Sequence, residues 1–595
     1  MHSKLYLFKD KRFLPIFIVQ FCGCLNDSII KNALIILVTF KLANILGTSS
    51  QFLVLLANAL FILPFVLFAS LAGQIADKYE KSLLVKIIKI SEIAIVLFAA
   101  YGFLCNNLII LFSCVALMGV HSTFFGPIKY SVLPDHLKKQ ELLGANGFVE
   151  AGTFISILIG TIIGGFHNSN SNIVIFSSIL ISFIGAISSF FLPKSISASQ
   201  GVKINFNIYR ETASIIRYSY SKKQIYLSIL GISWFWFIGA AILAQIPSLT
   251  KDILGADENV ANLFLATFSV GVGLGSFGCS KILQNEITTK YLFISAIALS
   301  VFSIDLFFAS SISAINYEPE QLKNILIFLS KKNNWRIVID LFCFSAIAGI
   351  YVVPLYAIMQ YFSSPAHRSR VIAANNLINS IFMAASTLML SLLFHFNYSM
   401  PLAILLVSAL NLIVAVYIYR LVPENEIIPF KFLATICKFI FNIVYKVEIK
   451  GIENFHAAGD RSVVIANHVS YIDPALLAVY LPSNLIFAID TTIARSFWVK
   501  PVLKIVKTLP IDTNNPMAIK SLINIVKKNK KIVIFPEGRI SVTGSLMKVY
   551  EGPGMIADRS DATILPIRIE GPQYTHFSKL KRKLRIKLFP KIFIT

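Results

Sequence analysis

His468 stands five residues before Asp473 in the stretch "VVIANHVSYIDPALL", residues 463–477. A neutral imidazole near pH 7 suits a general base. A carboxylate on its other ring nitrogen fixes the tautomer and stabilises the imidazolium that forms. The apolar run 463–466 reads as a buried strand and "PALL" as the start of a helix, so the pair sits at a strand exit. The plain alternative is a histidine at a strand end that makes only structural hydrogen bonds. A second cluster, Glu537-Gly538-Arg539 in "VIFPEGRIS" (533–541), follows another apolar run. Its guanidinium is available to a phosphate, and its glycine permits a close backbone approach.

These groups need a scaffold. Apolar runs at 463–466, 485–489, 532–535 and 563–569 read as strands. A helix near 516–528 opens with Asn-Asn-Pro, a cap followed by Pro at the first position. Alternating strands and helices predict an α/β domain with a mixed or parallel sheet over 451–595. Ahead of it lies a linker, 421–450. Its stretch "FKFLATICKFIFNIVYK" (430–446) is short for a bilayer span and carries Lys438 at its centre. With Lys431 and Lys446 on the same stripe, it reads as an interfacial helix lying in a membrane surface.

The first 420 residues are another class of chain. Of 595 residues 56% are hydrophobic and 14% charged, with mean hydropathy +0.72, which excludes a soluble protein of this size. Twelve spans are predicted, near 13–40, 52–72, 83–104, 107–127, 147–168, 172–193, 226–249, 261–283, 290–313, 337–361, 370–395 and 400–420. Lys and Arg concentrate in alternate loops, which predicts that both termini and the α/β domain are cytoplasmic. The loop 314–336, with Lys323, Lys331, Lys332 and Arg336, runs against that bias. The net charge of +24 is split between loops and tail and reads as contact with anionic lipid, not nucleic acid. The seven Cys lack zinc-site spacing, so neither a metal site nor a disulfide is expected. Charges inside spans mark function by default. Asp27 and Lys31 are four apart in span one, so they share a helix face and can pair. Glu92, Glu150, Asp305 and Asp340 are further acidic candidates, and Arg336 and Asp340 are also four apart. Helix packing is the alternative reading of each.

"GQIADKYEK" (73–81) resembles the loop motif of the major facilitator superfamily. Gly73, Asp77, Lys78 and Lys81 match, and Glu80 stands where the family usually has Gly. The resemblance implies an all-α membrane domain of two six-helix halves over 1–420, with a close helix approach at Gly73 and Asp77 held by cations. A weak echo between 127–146 and 354–375, each running from Pro through a His and basic residues to Ala-Asn, agrees with internal repeats. "FCGCLNDSIIKNALI" (21–35) and "STFFGPIKYSVLP" (122–134) are similar to the lysophospholipid transporter branch. That implies a one-chain lipid as cargo, with Asp27, Lys31 and Lys129 serving transport and Asp27 meeting a cationic head.

The His468 block, "TLPIDTNNP" (508–516), the Glu537 block and "ILPIRIEG" (564–571) resemble, in this order, the glycerophospholipid acyltransferases. The resemblance implies acyl transfer from a thioester to a lipid hydroxyl, with His468 as base and Asp473 as its orienter. Asn467, Glu537, Gly538, Arg539 and Pro566 would bind substrate. Acyl carrier protein or coenzyme A would carry the acyl group, with no bound cofactor. Glu537-Gly538-Arg539-Ile540-Ser541 lacks the Thr that phosphatidate-forming members carry. With "TGSLMKVYEGPG" (543–554) it is closer to the 2-acylglycerophosphoethanolamine acyltransferase branch. A ligase domain commonly follows in that branch; none is visible before Thr595, so acyl activation is expected from a separate chain. The expected function is flipping of lysophospholipid, such as lysophosphatidylethanolamine, across a bacterial inner membrane and its reacylation there. The alternative is a facilitator for another solute joined to an enzyme making phosphatidate.

Overall fold

The computed structural model describes residues 4–38, 50–166, 170–195, 203–315, 322–396, 398–418, 430–481, 485–494, 508–512, 516–543, 545–580 and 583–595, with Ser197, Ser199 and Gly201. The chain forms two compact units, Met1–Pro423 and Glu424–Thr595.

Among the described residues the first unit has twelve long helices: α1 (Leu14–Leu37), α2 (Ser50–Lys78), α3 (Lys81–Leu104), α4 (Leu108–Ser131), α5 (Lys139–Gly165), α6 (Ser171–Phe190), α7 (Lys223–Ser248), α8 (Glu258–Ile282), α9 (Leu292–Ile315), α10 (Lys332–Phe362), α11 (Arg368–His395) and α12 (Met400–Ile418). In lipid a helix satisfies its own backbone, which is why such apolar segments fold this way. Eleven are long and apolar enough to cross a membrane. The eleven do not include α3, the predicted span 83–104, which carries Lys81, Lys86, Lys89 and Glu92. The ends of the spans predicted at 13–40 and 400–420 lie partly outside the described residues.

Helices α1–α6 pack together, as do α7–α12, and the halves meet chiefly where α5 crosses α8 and α2 crosses α11. Exchanging the halves, α2 for α8 and α5 for α11, turns one crossing into the other, as structural repeats do. Both crossings depend on glycine. A Cβ on Gly147 would lie 2.4 Å from the Ser276 carbonyl oxygen, and one on Gly73 2.8 Å from the Arg370 Cα. The prolines of the echoing segments, Pro127 in α4 and Pro354 in α10, lie inside helices equivalent under the same operation. The loop with the contrary charge bias uses one of its cations locally: Lys323 Nζ donates to the Leu254 carbonyl at 2.9 Å.

The second unit starts with α13 (Phe430–Tyr445), which packs on α14 (Asp473–Tyr480). Phe439, Ile440 and Ile443 remain exposed. Lys438 is exposed, with its Nζ 5.3 Å from the Tyr480 ring centroid. The Lys431 side chain lies outside the described residues.

Strands β2 (Ser462–Ala466), β3 (Ile486–Asp490), β4 (Thr508–Ile511), β5 (Ile532–Ile534) and β6 (Thr563–Ile567) make a parallel sheet of order β4-β3-β5-β2-β6. A second sheet joins β1 (Val447–Ile449), β8 (Ile592–Ile594) and β7 (Ile569–Glu570). Helices α15 (Pro516–Lys527) and α16 (Gly552–Ser560) complete the described elements the site requires. The run predicted as one strand, 563–569, is therefore two, split between sheets. Strands β1, β4 and β8 were not anticipated. The predicted Asn cap before Pro516 lies outside the described residues.

Candidate active site and transport pathway

In open parallel sheets, ligands bind beyond the carboxyl ends of the strands. His468 lies two residues past the end of β2, and Glu537 three past the end of β5, the neighbouring strand. His468 Nδ1 is 2.9 Å from Asp473 Oδ2. The same oxygen accepts the N–H groups of Val469 (2.7 Å) and Ser470 (2.8 Å), so the turn between strand and α14 wraps one carboxylate oxygen. Burial pushes the Asp473 carboxyl above its ordinary pKa; His468 and the two N–H donors oppose that rise. The imidazole stacks on Phe535, centroids 4.2 Å apart. Nε2 makes no hydrogen bond among the described residues, and the side chain keeps 16% exposure. A base with its back nitrogen fixed and its front nitrogen open is what proton removal from an incoming hydroxyl requires.

The turn after β5 holds His468 from both sides. Glu537 Oε1 accepts the His468 N–H at 3.0 Å, and the Ser541 N–H donates to the His468 carbonyl at 2.7 Å. Glu537 Oε2 accepts the Met547 N–H at 3.2 Å. Glu537 is buried and both its oxygens serve backbone donors. Glu537 thus positions the turn that carries His468. Gly538 has φ +64° and nothing nearer than 3.5 Å to an added Cβ, so it serves a left-handed turn more than a close approach. That turn leaves Arg539 exposed, without an ion pair or hydrogen bond among the described residues.

Asn467 is likewise engaged by the backbone. Its Nδ2 donates to the Ile569 carbonyl (3.0 Å) and its Oδ1 accepts the Ile569 N–H (2.7 Å). The amide is consumed in tying β2 to β7. Pro566 pairs in register with Ile465 on the edge strand β6, where a missing N–H costs no ladder bond. Phe535 and Ser541 were not singled out from sequence, although both lie in the quoted Glu537 block.

In the membrane unit the Asp27–Lys31 pair does not form. Asp27 Oδ2 accepts the Ser122 hydroxyl from α4, and Oδ1 has no partner. Lys31 reaches the other way, its Nζ 5.4 Å from the Phe61 centroid on α2. Sharing a helix face was not enough, because different neighbouring helices meet the two side chains. Arg336 likewise pairs with Asp305 (Nε–Oδ2 2.9 Å) instead of Asp340. Glu92 is buried with Lys89 as an ion pair, His121 Nε2 at 3.2 Å and Asn26 Nδ2 at 2.9 Å. The Lys89–Glu92 spacing was readable as an intrahelical pair; His121 carried no local signal. Lys129 Nζ lies 4.8 Å from the Tyr130 centroid, and Lys78 Nζ 5.5 Å from that of Tyr79.

Asp77 holds the two halves together at one end. It accepts the Ser369 N–H (3.0 Å) and Arg370 Nε (3.0 Å) at the start of α11. Beside it Asp135 bridges Lys81 (2.6 Å) and Arg368 (3.1 Å). The cation facing Asp77 is thus Arg370 from the other half, not Lys78 or Lys81 next to it in sequence. Among the described residues no cluster of His, Cys, Asp and Glu could hold a metal, and the cysteines are free.

The Major Facilitator Superfamily description matches residues 16–317, just over half of the 595-residue chain. The Acyltransferase description matches residues 446–570. The lysophospholipid transporter LplT of Photorhabdus laumondii is 24% identical over 308 residues, covering 50% of this chain and 69% of its own length. LplT of Escherichia coli O157:H7 is 23% identical over 309 residues, with the same coverage. Among solved structures, the human organic anion transporter MFSD10 superposes with TM-score 0.55 at 11% identity, over 69% of this chain and 99% of its own. The Escherichia coli fucose:proton symporter FucP does so with TM-score 0.50 at 11% identity, over 69% and 99%. At such identities the structures establish the fold alone. The chain belongs to the Major Facilitator Superfamily, as a multi-pass membrane protein that carries an acyltransferase domain in the same polypeptide.

Proposed function

We propose that the membrane unit brings a lysophospholipid, with an ethanolamine head, from the outer to the inner leaflet of a bacterial plasma membrane. The acyltransferase unit, on the cytoplasmic side, then converts it to the diacyl lipid. The observation that carries the enzymatic half is the His468–Asp473 couple, 2.9 Å apart, with its second ring nitrogen open. His468 Nε2 takes the proton of the lysolipid hydroxyl as that oxygen attacks the thioester carbonyl. The new C–O bond replaces the C–S bond, and the leaving thiolate receives the proton. Asp473 stabilises the transient imidazolium, and exposed Arg539 engages the acceptor phosphate. The donor is an acyl thioester of acyl carrier protein or coenzyme A. Similarity to lysophospholipid transporters supports the cargo assignment, with Asp27, Lys31 and Lys129 on the transport path.

The direct test is acyl transfer by the purified full chain to lysophospholipids differing only in head group, with either donor. Product from lysophosphatidylethanolamine is expected. Activity confined to 1-acylglycerol 3-phosphate would instead support a phosphatidate-forming enzyme.

A further inference from the structure

Between β7 and β8 the chain makes an excursion, residues 571–591, that the mechanism above leaves unused. Its two limbs lie against each other. The Lys587 N–H donates to the Tyr574 carbonyl at 3.0 Å, and a Cβ on Gly571 would stand 2.1 Å from the Lys591 carbonyl oxygen. The excursion also grips both turns that hold His468. The Ser578 hydroxyl donates to the Val469 carbonyl at 3.0 Å, and the Tyr471 N–H donates to the Phe577 carbonyl at 3.1 Å. Lys583 Nζ donates to the Val542 carbonyl at 3.1 Å, one residue past Ser541. The excursion therefore borders the catalytic couple.

Its composition is one-sided. Residues 571–591 carry seven Lys and Arg and no Asp or Glu. Arg585, Lys587 and Lys591 are exposed, and between them stand Leu588 and Phe589, 74% and 72% exposed. The gripped turn adds exposed Leu546, Val549 and Tyr550 beside exposed Lys548. Clustered exposed apolar side chains mark a surface that something covers. Cations alone would suit any acidic partner. Aliphatic and aromatic tips interleaved with cations suit anionic head groups lying over an apolar interior. The proposed acceptor is held in such a surface, and His468 Nε2 has to come within hydrogen-bond reach of its hydroxyl.

We propose that this excursion and the 542–550 turn seat the acyltransferase unit on an anionic lipid surface, so that acylation of bilayer-held lysolipid rises with the anionic lipid content of the leaflet. The proposal rests on the acyl-transfer reading above. Arg585 and Lys587 meet the anionic head groups, and Leu588 and Phe589 enter the boundary between head groups and acyl chains. Because the excursion is bonded to the turns at Val469 and Val542, its docking sets the height of His468 over the leaflet. This surface is separate in sequence from α13, the helix expected to lie in the membrane surface.

The test uses the full chain in phosphatidylcholine vesicles with or without phosphatidylglycerol. Lysolipid is placed in the leaflet on the acyltransferase side, so that transport is bypassed. Wild-type acylation should be at least about tenfold faster with phosphatidylglycerol present, two basic contacts being worth at least that. High salt should erase the gain, and so should Arg585→Glu/Lys587→Glu. A soluble short-chain lysolipid should be turned over equally by wild type and variant. A fluorophore on Leu588→Cys, with the unsubstituted protein as blank, should be quenched by nitroxide-bearing lipid. Equal wild-type rates in both vesicles overturn the proposal, as does an unquenched label at residue 588. A charge variant that raises only the KM for acyl carrier protein thioester assigns the surface to the donor protein and overturns it too. Quenching with no turnover of even the soluble lysolipid would overturn the acyl-transfer reading and leave the lipid-docking surface standing.

Discussion

Asp473→Asn separates the charge of the His468–Asp473 couple from its geometry. All three hydrogen bonds to this carboxylate end on Oδ2, from His468 Nδ1 (2.9 Å), Val469 N (2.7 Å) and Ser470 N (2.8 Å), while Oδ1 has none. Asparagine keeps every bond by placing its carbonyl oxygen where Oδ2 stands. The flipped amide would aim its NH2 at two backbone N–H groups, losing both bonds. The backbone therefore fixes the amide, and the amide oxygen keeps the proton on Nδ1. What disappears is charge. A hydrogen bond to an ionised group contributes about 1.5–3 kcal/mol, and one between neutral groups about 0.5–1.5 kcal/mol. The difference, roughly 1–1.5 kcal/mol, corresponds to about a tenfold fall in kcat/KM. The NH2 left at the buried Oδ1 position adds an unsatisfied donor, costing about 1–3 kcal/mol of stability. Steady-state acyl transfer and a thermal melt of the same preparation measure both. A kinetic loss as large as that of His468→Ala would mean that the imidazole had lost its tautomer, and would refute this hydrogen-bond map. A loss under about twofold would remove the carboxylate charge from the mechanism.

Arg539→Ala should lower acceptor efficiency roughly 10- to 100-fold with little change toward the donor, since a charge-assisted phosphate contact is lost; an unchanged acceptor kcat/KM removes Arg539 from the site. Asn467→Ala orphans the N–H and carbonyl of buried Ile569, so a lower melting temperature with an unchanged acceptor KM is expected. A raised acceptor KM at an unaltered melt would return Asn467 to substrate binding. Asp27→Asn preserves shape and the Ser122 contact, so the protein should still fold and acylate directly supplied lysolipid while losing delivery from the outer leaflet. Wild-type delivery rates in that variant would make the charge structural.

Local pattern shows which residues share a turn more readily than what each one contacts. The parallel-sheet core was legible because Val463–Ile465 and Ile532–Ile534 are unbroken apolar runs, as strands buried on both faces must be. The His468–Asp473 contact was legible because a strand exit and a helix start place residues five apart on one turn. The contacts that Glu537 and Asn467 make were not legible. Their partners are backbone groups 69 and 102 residues away, which no local pattern records. The same limit applies in the membrane. Spacing suggested pairs within a helix, Asp27 with Lys31 and Arg336 with Asp340, whereas the folded chain pairs across helices. Side chains four apart are neighbours only if no adjacent helix offers a better contact. The Tyr130–Tyr356 stack lies inside the two segments whose echo was visible, so the sequence located that interface without revealing that its halves touch.

The central claim is that one chain delivers a lysolipid and then acylates it. It is tested most directly in vesicles reconstituted with the full chain, with labelled lysophosphatidylethanolamine added outside and acyl donor supplied only on the acyltransferase side. Wild-type protein should convert the external label to diacyl lipid. His468→Ala should let lysolipid reach the donor side and accumulate there without product. Product formation by His468→Ala at the wild-type rate, or loss of delivery in a stably folded His468→Ala protein, would contradict the account.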